Sequence, residues 1–220
     1  MSQFKLIGFD LDGTLVNSLP DLALSVNQAL AEHNLPQAPE ELVLTWIGNG
    51  ADVLISRAIA WTNADLDQSA VANIKARFGH YYGENICNKS RLYPHVKETL
   101  ETLKARGYTL AVVTNKPTRH VVPVLNAFGI DDLFSETLGG QSLPSIKPHP
   151  APLFYLCGKF GIFPKQLLFV GDSRNDILAA NNAGCPVVGL TYGYNYNIPI
   201  SESKPDWVCD DFAQLLDIAK

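Results

Sequence analysis

Polar side chains that can bind or attack a charged group stand directly after short apolar runs of the chain. They form three groups: Asp10 and Asp12, then Thr114 and Asn115, then Asp172 and Asp176. Nearly continuous apolar runs are typical of parallel strands that are buried on both faces. Open α/β sheets bind their ligands at the carboxyl ends of such strands. The pattern therefore predicts that these side chains share one edge of a sheet.

The first group places two carboxylates two residues apart. Asp10 and Asp12 would repel each other unless a positive charge lies beside them, and a divalent cation with oxygen ligands supplies that charge. A calcium loop requires glycine at its sixth position and glutamate at its twelfth. Those positions hold Leu15 and Asp21, so a calcium loop is excluded. A plain Asp-Gly turn at residues 12–13 stays open as the alternative.

The second group precedes Pro117, which suits the first position of a helix. The Thr114 hydroxyl and the Asn115 amide, with backbone N–H groups at the start of that helix, could hold a phosphoryl oxygen. Simple helix capping is the alternative.

Lys147 lies in the proline-stiffened loop 147–150, where a fixed ammonium would offset charge on a carboxylate and a phosphoryl group. The alternative for Lys147 is an ordinary surface lysine.

The third group joins a strand end to a helix start. Asp172 follows the run 167–170, and Asp176 lies in the first turn of a predicted helix, where the helix dipole favours a carboxylate in any case. Together the three groups and Lys147 predict a magnesium site beside a place for a phosphoryl group. The residues alone leave two chemistries open: attack by a metal-activated water, or direct attack of a carboxylate on phosphorus.

Composition restricts the class of protein. The chain has 220 residues, of which 46% are hydrophobic and 18% charged, and this excludes a disordered chain. Its formal charge of −5 disfavours nucleic acid and anionic membrane surfaces as partners, and no apolar run approaches the roughly 20 residues of a membrane span. The four cysteines have no metal-binding spacing, and the opening residues do not resemble a signal peptide. We therefore expect a cytoplasmic protein, either a monomer or a small homo-oligomer.

The apolar runs alternate with helical patterns along most of the chain. Strands are predicted at 4–9, 109–113, 167–170, 186–190 and 207–209, and helices at 95–106, 117–128, 150–160 and 176–183. This alternation predicts an α/β fold with a doubly wound, mostly parallel sheet. Residues 17–88 instead show helical periodicity over a length that exceeds a single crossover helix. We predict a helical cap domain at 17–88, inserted into a catalytic core of residues 1–16 and 89–220.

Four strings, in the order DLDGTLVNS, VVTNK, KPHPAP and GDSRND, resemble the signature of the haloacid dehalogenase superfamily of phosphatases. The resemblance covers essentially the whole chain. It implies a Rossmann-like core with a mobile helical cap, and a phosphoric monoester hydrolase that acts on a small anionic phosphate ester through an aspartyl-phosphate. Asn17 and Gln141 depart from the superfamily pattern, in which acidic residues are usual at both positions.

The resemblance also implies a role for each matching residue. Asp10 would be the nucleophile, Asp12 the general acid and base, and Lys147 a balancing charge beside Asp10. The groups that bind the phosphoryl oxygens would be Thr114, Asn115 and Lys147. The ligands of the cofactor, Mg²⁺, would be Asp10, the backbone carbonyl of Asp12, and Asp172, with support from Asp176.

Substrate choice is expected to come from the cap, because the core recognises only phosphate. The strings WIGNGADVLISRA, RLYPHV, TNKPT and LTYGYNY resemble a subfamily whose substrate is 2-phosphoglycolate. Gly48, Asn49 and Gly50 precede a helix whose N-terminus could bind a small carboxylate, and Arg57 could add a cation. A tight turn and a surface arginine are the alternatives. A broader small-molecule or sugar-phosphate phosphatase, or a β-phosphoglucomutase-like phosphotransferase, stays open for the activity.

Overall fold

The computed structural model describes residues 4–220, and a parallel sheet lies at its centre. The strands, in chain order, are β1 (Leu6–Phe9), β2 (Val16–Asn17), β3 (Arg91–Leu92), β4 (Thr109–Val113), β5 (Glu136–Leu138), β6 (Leu167–Gly171), β7 (Val187–Leu190) and β8 (Trp207–Cys209). Six of them form the central sheet in the order β5-β4-β1-β6-β7-β8, and every neighbouring pair is parallel. The predicted α/β class with a mostly parallel sheet is confirmed.

Helices connect the strands, and those that follow β3 cover the sheet. They are α1 (Leu19–Ala31), α2 (Glu40–Leu44), α3 (Ala51–Trp61), α4 (Gln68–Glu84), α5 (Val96–Ala105), α6 (Thr118–Ala127), α7 (Ala151–Phe160), α8 (Arg174–Ala183) and α9 (Leu215–Ile218). Each predicted helix occurs within a few residues of its expected limits. Apolar periodicity and the glycines that follow α7 and α8 were therefore sufficient to locate them.

The central strands bury both faces of the sheet. Ile7 and Phe9 of β1 belong to the apolar cluster on one face, which also contains buried residues of α5 and α6. Leu6 belongs to the cluster on the other face, with buried residues of α7 and α8. Successive side chains of a strand point to opposite faces. Two covered faces therefore require nonpolar residues along the whole strand, as in β1, which pairs with β4 on one side and β6 on the other.

Three strands were not predicted from the sequence. β5 is a three-residue strand at the edge of the sheet and is only partly buried. β2 and β3 have two residues each and pair antiparallel, Val16 with Leu92 and Asn17 with Arg91. Runs this short show no recognisable period. The β2–β3 pair carries the chain out of the core and back into it.

Helices α1 to α4 lie between β2 and β3, and we call them the cap. They enclose an apolar cluster of their own, whose fully buried members include Val26, Leu30, Ala58 and Ile74. Burial of this cluster stabilises the four helices against one another, because each presents an apolar face that it cannot bury alone. The limits of the cap domain at residues 17 and 88 stay predictions.

The Asp21 carboxylate fastens the first cap helix to the chain that returns to the core. It is fully buried and accepts hydrogen bonds from the Lys89 N–H (2.9 Å), the Ser90 N–H (2.8 Å) and the Ser90 hydroxyl (2.6 Å). Hydrogen bonds to an ionised acceptor are stronger than those between neutral groups. This carboxylate therefore holds the two connections between cap and core in a fixed relation.

Replacing Asp21 with alanine is expected to lower the free energy of unfolding by about 3 kcal/mol, because buried N–H groups would lose their acceptor. Urea unfolding followed by circular dichroism measures the loss. Asp67→Ala is the matched control: the exposed Asp67 carboxylate caps α4 by accepting from the Ala70 N–H at 2.7 Å, and its loss should cost about 1 kcal/mol. Equal losses of unfolding free energy in the two variants would contradict a special role for the buried hydrogen bonds of Asp21.

Candidate active site

Three neighbouring strands at the middle of the sheet end in polar residues. Asp10 follows β1, Thr114 follows β4 and Asp172 follows β6, and β1 pairs with both of the other strands. Because the three strands are parallel, their carboxyl ends lie at one edge of the sheet. The structure therefore brings these three side chains to a single region.

Lys147 reaches this region from the loop before α7. Its ammonium nitrogen lies 2.9 Å from Asp10 Oδ1 and 2.6 Å from Asp176 Oδ1, and the residue is 2% exposed. The Asn115 side chain fixes the lysine backbone by donating to the Lys147 carbonyl (2.8 Å) and accepting from the Lys147 N–H (3.1 Å). Lys147 is thus a buried cation between two carboxylates and not a surface lysine.

Hydrogen bonds and close packing hold the Asp172 carboxylate in position. It accepts from the Thr14 hydroxyl (2.6 Å) and from the Tyr194 N–H (2.7 Å). A Cβ atom at Gly13 would lie 2.3 Å from Asp172 Oδ2, and one at Gly193 would lie 2.2 Å from Asp172 Cβ. Both positions therefore require glycine, since any side chain there would displace the carboxylate.

Asp176 makes hydrogen bonds both at the start of α8 and in the candidate site. Its Oδ2 accepts from the Ser173 N–H (3.0 Å) and the Ser173 hydroxyl (2.6 Å), while its Oδ1 accepts from Lys147. The carboxylate accepts the N–H of the residue that precedes the helix, and the helix dipole favours its negative charge. Helix capping and support of the site are therefore combined in one side chain.

Burial determines the electrostatics of these carboxylates. Asp10, Asp172 and Asp176 are buried and each places an oxygen within 4.8 Å of the others. Loss of hydration raises the pKa of Asp10 to about 6, although Lys147 opposes the shift, and it raises the pKa of Asp172 well above its ordinary value. Closely spaced carboxylate oxygens are the ligands that Mg²⁺ takes in proteins. The residues present therefore fit a divalent cation.

Thr114 lines a cavity between cap and core together with Asp10 and Asp12. The cavity holds about 40 Å³ of space for water, room for about three water molecules. The Thr114 hydroxyl oxygen accepts from the Lys116 N–H at 3.2 Å, so its own proton can point elsewhere. The Asn115 side chain is engaged with backbone groups of residues 48 and 147, and its contact with phosphate stays a prediction.

Lys116 is a buried cation of the site that sequence reasoning missed. Its ammonium nitrogen lies 2.8 Å and 3.1 Å from the two carboxylate oxygens of Asp12, and it also contacts the hydroxyl of Tyr82 from the cap. Lys116 is 4% exposed. The one signal in the sequence was its position immediately after Thr114 and Asn115, close to a strand end.

The turn at residues 48–50 brings the cap onto the core. Asn115 and Asn175 both donate to the Gly48 carbonyl, at 3.0 Å and 3.1 Å. Gly48 has a φ of +110°, and a Cβ there would lie 3.1 Å from the Tyr196 hydroxyl oxygen, so this position favours glycine. Gly48 and Gly50 line the cavity that contains Asp10. The cap is therefore closed over the predicted site.

Asn49 and Arg57 lie on the other side of this turn. The Asn49 amide is 2.8 Å from the Tyr196 hydroxyl and 3.0 Å from the Asn175 amide. The Arg57 guanidinium donates to the Trp46 carbonyl at 3.0 Å and lies 5.9 Å from the centre of the Tyr196 ring. The structure thus separates these two side chains from the cavity, and their effect on substrate choice stays a prediction.

The two positions that depart from the superfamily pattern both act as hydrogen-bond acceptors. Asn17 Oδ1 accepts from the Tyr194 hydroxyl at 2.6 Å, beside the connection to the cap. Gln141 Oε1 accepts from the Thr118 N–H at 2.8 Å, at the start of α6. A carboxylate could make the same bonds with a negative charge, so these amides keep the contacts and remove the charge.

A parallel sheet interrupted after its central strand by a helical cap, with carboxylates at the ends of β1 and β6, is the architecture of a hydrolase class. Residues 7–190 match the family model of haloacid dehalogenase-like hydrolases. The chain belongs to this family. In the part of the chain that the structure describes, no helix has the length and apolarity that crossing a bilayer demands.

Relatives of known name match along the full chain. A phosphoglycolate phosphatase of Pasteurella multocida (strain Pm70) is 77% identical, over 99% of this chain and 99% of the relative. A phosphoglycolate phosphatase of Yersinia pestis is 52% identical, over 98% and 94%. A crystal structure from Haemophilus somnus 129PT, described as a predicted phosphoglycolate phosphatase, is 71% identical, has a TM-score of 0.99 and matches over 100% of both chains. The resemblance seen in the sequence is confirmed.

Proposed function

We propose that the protein is a magnesium-dependent phosphatase that hydrolyses 2-phosphoglycolate to glycolate and phosphate. The observation that carries this proposal is the buried pair of Asp10 and Lys147, 2.9 Å apart at the end of the central strand and beside the Asp172 and Asp176 carboxylates. The names of relatives at 77% and 52% identity support the substrate. We further propose that it acts in the cytoplasm on a small anionic ester, as a monomer or small homo-oligomer.

The reaction proceeds in two displacements at phosphorus. The Asp10 carboxylate attacks the phosphorus atom, the bond from phosphorus to the ester oxygen breaks, and Asp12 gives a proton to the departing glycolate oxygen. Asp12 then takes a proton from a water molecule as that water attacks the phosphorus of the aspartyl-phosphate. The second displacement releases phosphate and restores Asp10. Carboxylates are competent nucleophiles for such steps because they are ionised near neutral pH.

Other residues of the chain bind and balance charge. Thr114 would donate its hydroxyl to a phosphoryl oxygen, and Lys147 would offset negative charge as it gathers around Asp10. The groups that would hold Mg²⁺ are Asp10, the Asp12 carbonyl and Asp172, with support from Asp176. When bound, the metal ion would reduce repulsion between the carboxylate and the phosphoryl group.

This proposal is tested by phosphate release from 2-phosphoglycolate and from β-glucose 1-phosphate, each with Mg²⁺ and with a chelator. We expect kcat/KM to favour the acid by about 100-fold, because one charge-assisted contact to its carboxylate contributes a factor of up to this order. Chelation should lower kcat by at least about 100-fold. Equal rates on both esters would reject the substrate, and interconversion of glucose phosphate isomers would favour a phosphotransferase.

A further inference from the structure

The cavity between cap and core carries one positive side chain beside the predicted reaction centre. Among the described residues that line it, Lys116 is the cation, while the others are acidic, polar, apolar or glycine. Arg57 does not line this cavity, and Lys147 is held between Asp10 and Asp176. A substrate that carries a second negative group must place it near a positive charge or leave it poorly solvated. Lys116 is the side chain available for that contact.

The position of Lys116 relative to Asp12 matches the shape of the substrate. Asp12 must approach the ester oxygen to protonate it, and the Lys116 ammonium lies 2.8 Å from the Asp12 carboxylate. In 2-phosphoglycolate a single methylene separates the ester oxygen from the carboxylate. A group beside Asp12 is therefore beside the substrate carboxylate as well.

Tyr82 of α4 holds the ammonium in place from the cap side. Its hydroxyl contacts Lys116 Nζ, the nitrogen lies 4.7 Å from the centre of the Tyr82 ring, and the tyrosine is 2% exposed. An ammonium has three donors and can turn them to a new acceptor without moving its stem. The contact also means that the cap must be closed for the lysine to be fixed by both parts of the molecule.

We propose that Lys116 binds the carboxylate of the substrate and so determines the preference for an acid over a neutral phosphate ester, an inference that rests on the proposed function. The ammonium forms charge-assisted hydrogen bonds to the substrate carboxylate while it stays next to Asp12. Selection for an anionic leaving group then comes from the core segment that follows β4, with Tyr82 as the contribution of the cap. This differs from the expectation that Arg57 and the turn at 48–50 supply the selectivity.

The test compares two esters that differ only in the group of interest, 2-phosphoglycolate and 2-hydroxyethyl phosphate, in the Mg²⁺-loaded enzyme. For Lys116→Met we expect the ratio of the two kcat/KM values to fall at least about 30-fold, the order of one lost charged hydrogen bond. Inhibition by 3-phosphonopropionate should weaken by a similar factor, and inhibition by propylphosphonate should not. Lys165→Met is the matched control, since Lys165 is exposed and precedes β6 at the end remote from Asp172.

The outcomes separate the two proposals. If Lys116→Met lowers kcat/KM for both esters by one factor and leaves their ratio unchanged, Lys116 acts on Asp12 alone and the inference is wrong. If the wild-type enzyme shows no preference for the acid, both the proposed substrate and this inference are wrong.

Should Lys116→Met fail to fold, Tyr82→Phe keeps the ion pair between Lys116 and Asp12 and removes the hydroxyl contact. That variant should raise KM for 2-phosphoglycolate about 3-fold or more without the same rise for 2-hydroxyethyl phosphate, and equal rises would contradict the inference.

Discussion

Asp10→Asn is expected to lower kcat by at least about 10⁴-fold, with a much smaller change in KM, because the amide cannot serve as the attacking oxygen. The substitution preserves the size of the side chain, and its oxygen can still accept from the Leu11 N–H, a bond of 2.7 Å to the carboxylate. The loss would therefore report chemistry and not folding. Steady-state phosphate release measures the change in kcat.

A second measurement makes the same prediction specific to the covalent route. Rapid acid quenching of the wild-type enzyme during turnover should trap a phosphoryl group on the chain, and Asp10→Asn should trap none. Asp217→Asn is the control, since Asp217 is an exposed carboxylate at the far end of the chain that pairs with Lys220. A fully active Asp10→Asn enzyme would eliminate the aspartyl-phosphate and leave attack by water as the remaining route.

Lys147→Met is expected to lower the free energy of unfolding by about 3–5 kcal/mol in the metal-free protein at pH 7.5, because removing one partner leaves buried carboxylates uncompensated. Asp10 and Asp176 would both lose their cation. Methionine fills most of the same volume, so little of the loss comes from packing. Thermal and urea unfolding in the presence of a chelator measure it.

The loss should be smaller at pH 5 than at pH 7.5. Burial already raises the pKa of Asp10 from 3.8 to about 6 with Lys147 present, and removing the lysine raises it further. Between the pKa of Asp10 in the unfolded chain and its higher pKa in the folded protein, the folded protein binds more protons than the unfolded chain. The free energy of unfolding therefore falls as pH rises, and it falls further in the variant. Lys159→Met, which removes a half-exposed partner of Glu136, is the control and should change the free energy of unfolding little at either pH, because solvent screens an exposed ion pair. A loss at Lys147 that did not change with pH would contradict this explanation.

The sequence predicted the parts of the molecule that depend on local pattern. β1, β4, β6 and β7 are apolar at almost every position because both of their faces are covered, and this pattern is visible in the chain itself. β5 escaped notice because an edge strand is only partly buried and three residues are too few to show a period. The residues Asp10, Asp172 and Lys147 could be selected because each follows a strand or precedes a helix.

Contacts across the fold could not be predicted in the same way. Lys116 pairs with Asp12, which is 104 residues away, and with Tyr82, which lies in the cap, so its burial depends on the closed arrangement. Asn115 was selected as a phosphate ligand because of its place at a strand end, and this stays a prediction. The sequence did not predict that its side chain joins Gly48 of the cap to the Lys147 loop. Hydrogen bonds to backbone carbonyls leave no mark in the sequence of the residue that accepts them.

The bond between Asn115 and the cap has a consequence for how such enzymes can diverge. The group that the cap offers to Asn115 and Asn175 is the carbonyl of Gly48, and every amino acid has one. The cap side chains that face the cavity can therefore be exchanged without removing this point of attachment. A different set of such residues could admit a different ester while Asp10, Lys147 and Asp172 keep their arrangement, so the cap can evolve while the reacting groups stay the same.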